Sequence, residues 1–227
     1  MLTVSTLKHI IVCMARSAHS RKLKKPAKAY HHGNLRDALL DEALRTIEKH
    51  GVDQLTLRTV GGRLGVSRSA LYRHFADKQA LLAAVGSEGF RLPRQAVADA
   101  WEQNGGGRTG FEAMAKAYVQ FAVAHPSHYR VMFGGFIESA AKDDAFIGEA
   151  KAAFQVLVDA LIEQQNTGDI RRDEPVLMAR YVWALVHGIA MLVIDGQVSG
   201  AAQREALEQY AVERIRSSIR QETTGNE

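Results

Sequence analysis

The sequence predicts an all-α protein, with a three-helix helix-turn-helix unit near its N-terminus and a longer helical domain behind it. Three observations carry this reading. Beyond residue 34, apolar residues recur at three- and four-residue spacing; no segment shows the alternation of a half-exposed strand; and between Leu55 and Phe75 a cap, a glycine turn and a second cap follow at the intervals two short crossing helices require.

Asn34 is placed to cap a first helix whose Leu39, Leu40, Ala43, Leu44 and Ile47 share one face, and Gly51 ends it. Thr56 caps a short helix reaching Leu64, Gly65 turns the chain, and Ser67 caps a second short helix running to about His74. Asp77 caps a fourth helix, which Pro93 is expected to interrupt or kink by removing a backbone donor and crowding the preceding turn. Residues 104–110, with four glycines, read as the clearest loop. Further helices follow at about 111–125, 127–134, 143–166, 174–195 and 201–221. The fourth of these is apolar nearly all the way round, which requires burial between partner helices or between subunits.

Hydrophobic residues at 46% and charged residues at 24% are ordinary for a globular protein and suggest neither a membrane protein nor a disordered chain. The charge is unevenly distributed. Lys8, Arg16, Arg21, Lys22, Lys24, Lys25 and Lys28 precede residue 34 with no acidic residue among them, which leaves 22 basic against 25 acidic residues for the remainder. A basic tail on a near-neutral body suits a polyanion approached from one end. The chain therefore divides into a flexible basic arm (1–33), a helix-turn-helix domain (34–92), a helical domain (93–222) and a disordered tail (223–227). The arm reads either as a phosphate-tracking segment or as an idle leader, and Met14 is an alternative start. Cys13 is the only cysteine, which fits a reducing cytoplasm. The short apolar run at 10–15 neither spans a bilayer nor has the charge order of a signal peptide.

In the segment 55–75, Gly61 provides the small residue where two helices cross and Gly65 the tight turn, while Val60, Leu64, Val66, Leu71 and Phe75 lock the pair to a supporting helix. Arg68, Ser69, Tyr72 and Arg73 are left outward on the second short helix, where they can donate to base edges or phosphates of a major groove.

These residues, with G-V-S-x-x-x-L-Y-x-H-F at Gly65–Phe75 and D-K-x-A-L-L at Asp77–Leu82, resemble the TetR family of bacterial regulators. The resemblance implies a sequence-specific regulator of double-stranded DNA, usually a repressor, in which Arg68, Ser69, Tyr72 and Arg73 face the groove beside the capping Ser67, and Thr56, Arg58, His74 and Lys78 hold phosphates. Gly61-Gly62 departs from the family, which more often has alanine there, and glycine costs about 1 kcal/mol within a helix. His125-Pro126, Tyr129, Met132, Phe133, Trp183 and His187-Gly188 resemble the subgroup named for a Trp-His-Gly signature. The resemblance implies a C-terminal domain that binds a small effector and a homodimer formed by its last two helices. On that reading Tyr129, Phe133, Phe154, Trp183 and His187 line the effector pocket, Leu185, Leu192, Leu207, Ala211 and Ile215 cover the dimer face, and the operator is an inverted repeat. Gly86, Gly89 and Pro93 would make the linking helix easy to bend.

Other classes fit less well. No strand-linked phosphate loop, metal-ligand spacing or recognisable nucleophile supports an enzyme or a cofactor. His125 and His128 lie three apart, as metal ligands can, but lack a third ligand. His31 and His32 read as solvated arm residues or phosphate neighbours. His187 is either a satisfied core histidine or a polar group on a pocket wall. An effector-independent architectural factor of the same fold, or a helical interaction protein that has lost DNA binding, are the alternatives; the outward polar set on the second short helix argues against the latter.

Overall fold

A computed structural model describes residues 35–138, 141 and 143–221. The basic arm, His31, His32, the Asn34 cap and the tail beyond 222 lie outside these residues. Nine helices, and no strand, are found among the described residues: α1 (Leu35–His50), α2 (Leu57–Leu64), α3 (Arg68–Tyr72), α4 (Lys78–Gln103), α5 (Gly107–Ala124), α6 (Pro126–Phe133), α7 (Asp144–Thr167), α8 (Pro175–Ile194) and α9 (Ala201–Ile219).

Local chemistry sets most of these limits. Gly51 ends α1 at φ 81°, its N–H donating to Ile47 O at 2.8 Å. Thr56 and Thr59 cap α2 reciprocally, each hydroxyl accepting the other's backbone N–H, and Gly65 closes the helix in the left-handed region at φ 67°. Ser67 Oγ accepts from Ala70 N at 3.2 Å to start α3, which ends at Tyr72; residues 73–74 form a turn rather than the helical continuation expected. Asp77 and Asp143 cap α4 and α7 in the same way at 2.8 Å.

Two expectations need correction. Pro93 does not interrupt α4, which continues to Gln103. A proline costs about 3 kcal/mol in a helix interior; Pro93 is itself buried, with Val85 and Phe90, on a helix that packs against α5, α6 and α7. The glycine-rich loop is also shorter than expected. Only 104–106 stand outside helices, because Gly110 lets the first turn of α5 lie against Trp101; a Cβ there would sit 2.9 Å from the indole.

From Arg36 onward the described residues form one compact unit with α4 at its centre. Behind it, Phe111, Val158, Leu161, Met178, Val182, Val186, Ile215 and Ile219 form a core shared by α5, α7, α8 and α9. Ile215, expected on a dimer face, is 1% exposed and belongs to this core. The end of α9 is tied down by Arg171, whose N–H donates to Ile219 O at 2.9 Å and whose guanidinium donates to Ser218 O. Among the described residues α8 alone is long and apolar enough to cross a bilayer; here one face, with Met178, Val182, Val186 and Ile189, is buried in the protein. Its other face leaves Leu177, Tyr181, Leu185 and Leu192 exposed.

The glycine pair in α2 divides by environment. A Cβ on Gly61 would lie 3.2 Å from Leu71 Cδ2, whereas one on Gly62 would meet nothing within 4 Å. Gly62→Ala therefore removes a helix penalty without a clash, and is expected to stabilise the protein by about 0.5–1 kcal/mol. Thermal unfolding checks this; a lower midpoint in the variant would mean that α2 relies on that glycine.

Candidate nucleic-acid interface and ligand cavity

The supporting helix and α2 are joined by a network that the sequence did not suggest. Arg63 on α2 reaches Glu42 Oε1 at 3.2 Å and Thr46 Oγ1 at 3.1 Å, and Arg45 contacts the other oxygen of Glu42 at 2.9 Å. Glu42 and Thr46 are both buried. The network pairs the buried Glu42 carboxylate with two exposed arginines and ties α2 to α1. Leu71 and Phe75 are buried and seat α3 against the same core.

The opposite side of α3 is open. Arg68, Ser69, Tyr72, Arg73 and His74 are all exposed, as are Thr56 and Arg58 around α2. The Arg68 guanidinium lies 5.4 Å from the Tyr72 ring centre, and Ser69 Oγ is 3.1 Å from the capping Ser67 Oγ. Lys78 is only half exposed and donates to Asp53 O at 3.4 Å, so it ties α4 to the α1–α2 loop as well as standing near the surface assigned to phosphates.

A cavity of about 220 Å³ opens in the helical domain. Phe90, Pro93, Arg94 and Val97 of α4, Met114 and Tyr118 of α5, Phe133 of α6, Phe154 of α7, and Trp183 of α8 are among its walls. Phe133, Phe154 and Trp183 are thus brought together as the sequence suggested. Tyr129 and His187 stand behind the wall: Tyr129 is fully buried, and the His187 ring packs edge-on against Phe133 at 4.7 Å between centres. The α4 residues and Arg94 were missed, since nothing in the α4 sequence tells a cavity wall from a core face.

Behind the wall the polar atoms form a hydrogen-bonded chain. Trp183 Nε1–H, a donor only, reaches Tyr118 Oη at 3.0 Å; Tyr118 and Tyr129 hydroxyls are 2.9 Å apart; and Tyr129 Oη lies 2.6 Å from His187 Nδ1. Burial raises both tyrosine pKa values and lowers that of His187, keeping all three neutral. Trp183 Nε1–H can only donate, so Tyr118 accepts from it, while the direction of the two bonds beyond follows the tautomer of His187.

His128, on the other side of α6, is 7% exposed. Burial, then the adjacent His125, lowers its pKa from 6.5 to about 4. Glu88 Oε2 at 4.0 Å opposes the shift, but from a carboxylate with more access to water. The unfolded chain takes up this proton near 6.5 and the folded chain only near 4, so between those values the unfolded state binds more protons and stability rises with pH. Lowering the pH from about 7 to 4.5 is expected to lower stability, with His128 responsible for up to roughly 2 kcal/mol. Comparing thermal midpoints of the parent and His128→Asn across this range isolates that share; parallel curves would remove His128 as the cause. Among the described residues, no group of three His, Cys, Asp or Glu is close enough to hold a metal.

Residues 39–85 match the profile described as bacterial regulatory proteins, tetR family, and residues 111–215 that of a tetracyclin repressor-like C-terminal domain. The latter description does not name the Trp-His-Gly subgroup. A solved structure of a protein of unknown function from Rhodococcus sp. RHA1 is 35% identical, with a TM-score of 0.76, over 86% of this chain and 100% of that one. An HTH-type transcriptional regulator of Mycobacterium tuberculosis is 27% identical over 141 residues, 58% of this chain, and the match likewise spans only 58% of that regulator. The tetracycline repressor protein class D of Escherichia coli is 38% identical over 53 residues, 23% of this chain and 24% of that protein.

Proposed function

The chain belongs to the TetR family of bacterial regulatory proteins, and on that premise we propose that it is a cytoplasmic, homodimeric repressor that binds an inverted-repeat operator and is released by a small apolar effector. The observation that carries this reading is the course of α4. This single helix starts at the Asp77 cap beside α3 and continues, without a break at Pro93, into the wall of the cavity. A ligand that shifts Phe90, Pro93 or Arg94 acts on the same helix whose first residue, Lys78, is tied to the α1–α2 loop at Asp53 O.

A second link lies at the start of α4. Gln79 Nε2 donates to Phe136 O at 3.3 Å, and its Oε1 accepts from Glu138 N at 3.0 Å, so one side chain clamps the reading head to the segment after α6. An effector can favour release only by binding the non-reading arrangement better than the reading one, and a coupling of about 1–3 kcal/mol loosens DNA some five- to 150-fold.

Operator fragments selected from genomic DNA by the purified protein, followed by a screen of small apolar compounds for release, test the proposal. Gln79→Ala is expected to leave ligand affinity, read by Trp183 fluorescence, within about twofold, while reducing ligand-induced release several-fold. Undiminished release would show that the clamp carries no coupling. If no compound alters DNA affinity, the effector-independent reading replaces this one.

A further inference from the structure

The helix-turn-helix segment has a one-sided chemistry. From Leu55 to Ala76 it contains no Asp, Glu, Asn or Gln; its cations are four arginines, and its other polar side chains are hydroxyls and His74. Arg63 is engaged by Glu42 and Thr46, and Arg58 stands on α2. That leaves Arg68 and Arg73 on the open side of α3, turned outward because Leu71 and Phe75 are buried on the other side. Within the described residues neither of these two arginines has a hydrogen bond or an ion pair. The one contact is that of the Arg68 guanidinium with the exposed Tyr72 ring, 5.4 Å from its centre. A ring face attracts the charge without accepting through a lone pair, so the donors of Arg68 stay available at the surface.

Base chemistry selects the partner. In a major groove, adenine shows an acceptor beside a donor and is matched by a carboxamide, while cytosine shows a donor and is matched by a carboxylate. The segment has neither group. Guanine shows two acceptors, O6 and N7, and a guanidinium fork donates to both at once. Ser69 does not replace the missing groups, because its Oγ is 3.1 Å from that of Ser67, which in turn holds Ala70 N at the start of the helix.

We infer that α3 reads guanine: each half-site presents the O6 and N7 edges of guanines to Arg68 and Arg73. This rests on α3 entering the major groove of an operator and names the base that it recognises there. The test uses the full chain and the fragment enriched from genomic DNA, rebuilt either with 7-deazaguanine, which pairs normally but lacks the N7 acceptor, or with 7-deazaadenine. Affinities are read by anisotropy titration at one fixed salt concentration, since phosphate contacts make binding salt-dependent. The 7-deazaguanine duplex is expected to bind at least about tenfold more weakly than the unmodified operator, and the 7-deazaadenine duplex within about twofold of it. Arg68→Ala and Arg73→Ala should each reduce the 7-deazaguanine penalty, because a removed guanidinium no longer registers the missing N7. Equal binding of the 7-deazaguanine duplex, an adenine penalty as large as the guanine one, or a guanine penalty undiminished in both variants would overturn the inference. The parent's response to the two analogues decides the matter even if a variant fails to fold. Preference over a scrambled duplex is measured on the same samples. A preference that survives 7-deazaguanine overturns guanine reading and leaves the operator reading standing, whereas no preference on unmodified DNA overturns both.

Discussion

Tyr72→Ala and Arg73→Ala are each expected to abolish specific operator binding while leaving the fold intact. Tyr72 is 46% exposed and Arg73 lies at the C-terminal cap of α3, so neither contributes to the core that Leu71 and Phe75 make with α1. Surface substitutions of this kind usually stay within about 0.5 kcal/mol of parent stability. One good base contact contributes about 1–3 kcal/mol of discrimination. A two-fold dimer loses it in both half-sites, about 2–6 kcal/mol together, which corresponds to roughly 30- to 10⁴-fold in affinity. Truncating Tyr72 also removes the ring under Arg68, so its loss should be the larger. Arg58→Ala gives the contrasting pattern: weaker binding to every DNA sequence, with each lost phosphate contact removing about 0.9 from the slope of log K against log salt. Titrations of operator and scrambled duplexes at several salt concentrations separate the two. A Tyr72→Ala protein that still prefers the operator as its parent does would take the reading surface away from α3.

What could be read from the sequence was local, and what could not was distant in the chain. Thr56, Ser67 and Asp77 cap their helices because a side-chain oxygen need only reach an N–H two or three residues on, a relation that spacing alone displays. Trp183 and Phe154 were legible as neighbours of one another because both stand on strongly apolar stripes facing the same interior. Arg94 was not, since both its place on the cavity wall and its ion-pair partner Glu149, 55 positions away, depend on other helices. Gly86 and Gly89 have a packing role that the sequence did not display. A Cβ on Gly86 would lie 2.6 Å from Phe146 Cε2 and one on Gly89 2.7 Å from Met132 Sδ. Both glycines therefore admit side chains of α7 and α6 against the helix. Ile215 shows the same limit: the apolar positions of α9 share a period, but only the neighbours decide which of them face inward.

Leu185→Glu is expected to convert the protein to a folded monomer and to remove binding to the full operator. The exposed apolar residues of α8 fall at 177, 181, 185 and 192, with Ala184 exposed and Gly188 half-buried on the same side, and Tyr210 of α9 is 60% exposed. Spacings of four and seven place this row on one helix face, too long and too apolar to be scattered surface residues. A two-fold axis crossing the row would bring each residue near its own copy, so a carboxylate introduced at Leu185 meets a second carboxylate as well as losing apolar burial. The side chain is already 39% exposed in the single chain, which is why the monomer should retain its helicity and unfold near the parent temperature. A monomer presents one α3 to one half-site. Since specific sites are typically bound 10³–10⁷-fold more tightly than non-specific DNA, losing half of the contacts should lower operator affinity by at least about 10³-fold, to near the level of random duplex. Sedimentation velocity at micromolar concentration and operator titration measure the two effects on the same sample. A Leu185→Glu protein that still sediments as a dimer would move the interface off α8, and a monomer that binds the inverted repeat as tightly as its parent would separate DNA reading from dimerisation altogether.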